Sequence, residues 1–152
     1  MSMQSTVKSE EDRVGRTRWM VSNATRKDLD DMLDRVPVRT SSVRELLLAR
    51  LGEKNMSVDV MAELAGMSRA TGFKILSGKQ RAERDMLLRI AFVLEFDFEE
   101  TAQLLKSGCK AALTADSKRD VAIIFGLENH LTLGDMDDLL EEYGLAPLVP
   151  VK

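Results

Sequence analysis

Reactive and metal-binding side chains are nearly missing from this chain of 152 residues, which holds one cysteine, Cys109, and one histidine, His130. A lone cysteine excludes an intramolecular disulfide and a cysteine metal cluster. The glycines do not gather into a phosphate-cradling loop, and no two carboxylates stand at a spacing recognisable for acid–base work. These absences argue against an enzyme and lead us to expect neither cofactor nor metal. His130 falls near a predicted helix end, where a capping role suits it better than a ligand role. No apolar run approaches the ~20 residues that span a bilayer, and the polar N-terminus has no signal-peptide core. The expectation is a cytoplasmic protein without a membrane partner.

Helix breakers and aromatics are also scarce, with three prolines and 5% aromatic residues. Leu, Ala, Met, Glu, Lys and Arg dominate instead, which favours helices over strands. The hydrophobic share of 44% is enough for a real core, and nine methionines suit an adaptable one. Net charge is −3, which speaks against indiscriminate nucleic-acid binding. The charge is uneven, however: residues 1–40 carry +1, residues 41–96 carry +2 and residues 97–152 carry −6. Any surface facing a polyanion therefore lies in the first two thirds.

Helix start signals recur along the chain. Thr25 with Asp28, Ser42 with Glu45, Asp97 with Glu100 and Thr132 with Asp135 pair a capping side chain with an acid three residues on. Ser57, Ser68 and Ser117 mark three further starts. Val43, Leu46, Leu47 and Leu51 share one helical face, as do Leu87, Ile90, Ala91 and Leu94. No stretch alternates at period two. The pattern predicts an all-α chain of about eight helices, in three parts. These are an N-terminal arm over 1–22, expected to be mobile, a helical domain over 23–106 and a helical extension over 107–152. Arg13, Arg16 and Arg18 would make the arm basic, or simply solvated; Trp19 is expected to dock on the domain.

The segment 57–78 has the residue demands of two helices joined by a tight turn. Ala62 is small where a second helix would cross, and Gly66 stands where the turn is sharpest. Met61, Ala65, Met67 and Ile75 supply apolar contacts, and Gly78 ends the second helix. Gly72 in the middle of that helix costs about 1 kcal/mol relative to Ala unless close packing requires it. Phe73 is expected to supply buried area beside it.

This segment, "MSVDVMAELAGMSRATGFKILSGKQRAERDMLLRIAFVLEF", resembles the phage-repressor (Cro and XRE-like) helix-turn-helix regulators. It is closest to a bacterial subgroup with a characteristic tail, through Arg69, Gly72, Phe73, Ile75, Gly78, Arg84 and Asp85, then "SKRDVAIIFGL" and "LLEEYGLAPL". Ala82 stands where the family usually has proline, and Gln80 replaces a commonly basic residue. The resemblance implies a repressor-type five-helix domain extended by C-terminal helices, binding double-stranded DNA as a homodimer to regulate transcription. The helix at 68–77 would enter the major groove, with Ser68 at its start. Arg69, Ala70, Thr71 and Lys74 would face base edges or flanking phosphates, Arg69 forking onto a guanine and Thr71 touching a thymine methyl. The Gly78 N–H, Lys79 and Arg81 would meet phosphates. Residues 68–84 hold five basic side chains against Glu83 alone. The same charges also suit a solvated helix face, and a protein-interaction adaptor or antitoxin-like partner could keep the fold without reading DNA.

Beyond residue 106, Val121, Ile124 and Phe125, then Leu133, Met136, Leu139 and Leu140, form apolar stripes expected to pack inward. The acidic run from Asp135 to Glu142 could attract a protein partner, and "GLAPLVP" is expected to latch onto the body or a neighbour. Lys118, Arg119 and Asp120 are expected to form structural ion pairs.

Overall fold

The start signals read from the sequence are the ones the backbone uses. In the computed structural model, which describes residues 18–19, 22–35 and 42–150, eight helices follow one another and no strand occurs among the described residues. They are α1 (Arg26–Arg35), α2 (Val43–Lys54), α3 (Val58–Leu64), α4 (Arg69–Ser77), α5 (Arg84–Val93), α6 (Phe98–Ser107), α7 (Lys118–Glu128) and α8 (Leu133–Glu142). Ser42, Ser57, Ser68, Ser117 and Thr132 each accept the N–H three residues on, satisfying a donor that has no partner within the helix. Asp97 and Glu100 close a reciprocal capping box, and Thr25 and Asp28 exchange the same pair of bonds. Those bonds hold the Asp28 carboxyl below its usual range.

The exits are equally regular. Asn55, Glu95, Cys109 and His130 adopt left-handed backbone with φ between 53 and 58°. After each, the next N–H returns to the carbonyl five residues back, closing the helix end. Cys109 and His130 thus stand where the backbone turns, both exposed.

Met1–Arg39, which includes α1, form one compact unit and Thr40–Lys152, which include α2–α8, another. The division after Arg39 falls within the span 23–106. Within the second unit a single core joins Leu47, Met61, Ile75, Leu87, Ile90 and Leu104 to Ile123, Met136, Leu140 and Leu148. Residues on both sides of the expected 106/107 boundary share this core. The basic arm's Arg13 and Arg16 lie outside the described residues; Trp19, expected to be docked, is exposed.

Two charged dipeptides fasten α7 to α5. Arg84 forks onto Asp120 at 2.9 and 3.0 Å, and Arg119 forks onto Asp85 at 2.9 and 3.0 Å. Arg84 also donates to the carbonyls of Ala111 and Ala112. Burial pushes the Asp120 carboxyl up, but bonds from the Arg84 guanidinium and the Thr114 N–H outweigh it and hold the group below the usual carboxylate range. The expected structural ion pairs are present for Arg119 and Asp120.

The C-terminal segment is held by the same device. Arg119 donates to the carbonyls of Ala146 and Pro147, Arg89 donates to that of Leu148, and Asp137 accepts from the N–H groups of Leu148 and Val149. Leu148 is fully buried. The latch therefore closes on the chain's own body. Val149 lies over the turn at Gly66, with its Cγ1 3.2 Å from where a glycine-replacing Cβ would stand.

Candidate nucleic-acid interface

The pair α3–α4 is built around one close approach. A Cβ placed on Gly72 would lie 2.9 Å from the Ala62 Cβ, closer than two such carbons pack, so only glycine permits this crossing. Ala62 is itself fully buried, as are Met61 and Ala65. Gly66 takes φ +69° in the turn, a left-handed conformation that side chains disfavour, and Gly78 takes φ +80° at the end of α4. Ala62 and Gly72 thus meet at the crossing, and Gly66 and Gly78 turn the backbone at its two ends.

With Gly72 and Ile75 turned inward, helical periodicity leaves Arg69, Ala70, Phe73, Lys74 and Ser77 on the open side of α4, all exposed. Phe73 corrects an expectation. It is 44% exposed and does not fill the space beside Gly72; its ring lies 5.7 Å beneath the Arg69 guanidinium carbon. The helical wheel drawn from Gly72 and Ile75 would have found it, because Phe73 is one step away from the buried seam.

Arg69 is held from two sides. Its Nε lies 2.9 Å from Asp59 Oδ1 on α3, and the ring of Phe73 supports the guanidinium. The Arg69–Asp59 pair is a charge contact and not a hydrogen bond, since Asp59 Oδ1 is buried without a hydrogen-bond donor. The planar guanidinium at the exposed end of the side chain has the geometry that meets a pair of acceptors.

Three other expected contacts have internal partners. The Ser68 hydroxyl caps α4 by accepting the Thr71 N–H, and the two hydroxyls lie 2.8 Å apart in a hydrogen bond. Thr71 is half-buried, so Phe73 replaces it as the apolar group on the open face. The Gly78 N–H donates to the Ile75 carbonyl and is not free for a phosphate. Arg84, counted in the basic stretch, is turned inward onto Asp120. Lys74, Lys79 and Arg81 remain exposed. Gln80 returns its N–H to the Lys74 carbonyl, and Ala82 is buried in the core, so the residues at these two positions serve the turn and packing.

Among the described residues no group of three or more His, Cys, Asp or Glu is placed to hold a metal ion, and no helix is long and apolar enough to cross a membrane. Comparison of the chain with protein-family models, with curated proteins and with solved structures finds no match.

Proposed function

We propose that this chain is a cytoplasmic, sequence-specific DNA-binding regulator of transcription, of the helix-turn-helix repressor type, that reads the major groove with α4. The observation that supports this most is the Gly72–Ala62 crossing: it sets α4 against α3 while leaving a continuous open face of Arg69, Ala70, Phe73, Lys74 and Ser77. On that face the terminal nitrogens of Arg69 match the O6 and N7 acceptors of guanine, and Phe73 and Ala70 suit a thymine methyl. Lys79 and Arg81, just beyond the helix, are placed for phosphates flanking the groove.

A second reading, an interaction adaptor that does not read bases, is favoured by the charge: the chain carries −3 overall and Arg69 already has an acidic partner in Asp59. Selection from random double-stranded DNA at near-physiological salt separates the two. The regulator enriches a motif. Arg69→Ala then relaxes the preference at one position and costs about 1–3 kcal/mol on the enriched site. Featureless output from the intact chain favours the adaptor. Uniform weakening across sequences by Arg69→Ala makes that residue a phosphate contact.

A further inference from the structure

The second half of the chain carries an apolar surface that contradicts the sequence expectation for α7. Val121 and Phe125, expected to pack inward, are 49% and 53% exposed, whereas Ile123 and Leu127 are buried. The rotation follows from two anchors on the opposite side of the helix: Asp120 is bound to Arg84, and Gly126 lies directly against the Met136 sulfur of α8. Ala122, Leu139, Tyr143 and Leu145 beside the exposed pair, with Ala115, Asp116 and Lys118 at the helix start, line a groove of about 570 Å³.

The outward stripe of α7 reads Lys118, Val121, Phe125, Glu128, at spacings of three and four residues, and all four side chains are exposed. Its charges lie at opposite ends. We infer that this stripe is a homodimer interface, on which α7 of a second copy docks antiparallel about a two-fold axis at Ile123. In that arrangement Lys118 of each copy faces Glu128 of the other, and Val121 faces Phe125, so every contact occurs twice and the stripe is complementary to itself. A parallel arrangement would set Lys118 against Lys118 and Glu128 against Glu128, which like-charge repulsion disfavours. The opposed charge of the two ends thus selects both the occupant and its direction. The interface does not depend on DNA recognition.

Sedimentation equilibrium of the full chain at micromolar to submillimolar concentrations tests it. The wild type is expected to dimerise, and Phe125→Asp to weaken the dimer by about tenfold or more. Because Phe125 is exposed, its urea unfolding midpoint should stay near that of the wild type after allowance for dimerisation. Lys118→Glu and Glu128→Lys should each weaken association several-fold, and the double exchange should restore it. A wild type that stays monomeric overturns the inference and leaves the groove to a different protein. A dimer insensitive to Phe125→Asp overturns it too, as does a double exchange no better than the single ones. Motif enrichment in the DNA selection would be unaffected by any of these failures.

Discussion

Arg69 and Arg84 are each the first residue of a helix, fifteen positions apart in the same basic stretch, and each has an aspartate partner. Their surroundings separate them. Arg84 is turned inward to a nearly buried Asp120 and two carbonyls, so all of its fork is engaged within the fold. Arg69 lies with its side chain 73% exposed beside a half-exposed Asp59, in a charge contact at 2.9 Å. The clamp around Arg84 and Arg119 and the open face of α4 thus use the same residue types for opposite ends. In one place the charges satisfy each other within the fold; in the other they stand exposed to solvent.

The clamp should show the largest effect on stability. Asp120→Ala leaves the Arg84 guanidinium and the Thr114 N–H facing a partly dry site without their acceptor, which should cost about 3 kcal/mol in urea unfolding. A loss below about 1 kcal/mol would place Asp120 among ordinary surface ion pairs. The same carboxyl has a pH signature. Its folded-state pKa is depressed, so its contribution is fully present above the unfolded-state value and is lost as pH falls through the folded one. Acid unfolding should therefore set in below about pH 4, and Asp120→Asn should reduce the acid-dependent part of the transition. An unchanged acid profile in that variant would assign the transition to other carboxylates.

The α3–α4 crossing comes next. Gly72→Leu adds a side chain where even a Cβ would crowd Ala62, and overpacking of this kind costs about 1–3 kcal/mol. Thermal unfolding measures it, and a variant as stable as the wild type would mean that the two helices separate freely. The open face should show the smallest effect on folding. Lys79→Gln with Arg81→Gln should leave stability within about 0.5 kcal/mol of wild type, since neither side chain is buried. On a DNA site, however, the salt dependence of binding should flatten by roughly 0.9 log units for each phosphate contact removed. A double variant with an unchanged salt slope would leave the two residues as solvated charges and sharpen the contrast with the clamp in the other direction.

Local information determined a large part of this protein. Ser42, Ser57, Ser68, Asp97, Ser117 and Thr132 cap the helices their positions announce, because a cap is satisfied by an N–H only three residues away. Ala62, Gly66, Gly72 and Gly78 were legible for a related reason: a turn between adjacent helices brings near neighbours together, and each small residue marks a contact or a φ angle. What the sequence could not decide was how each helix is rotated and which charges face one another, since those depend on partners far along the chain. Phe73 and Phe125 lie outside the core because Gly72 and Ile75, and Asp120 and Gly126, fix the inward sides of α4 and α7. Arg84 finds Asp120 across 36 residues, Arg89 reaches Leu148 across 59, and the C-terminal segment closes over Gly66. Helical periodicity limits which residues can share a face; only packing at long range selects the face that is buried, because the cost of an unpaired buried charge or a steric overlap is settled by the neighbour that arrives there.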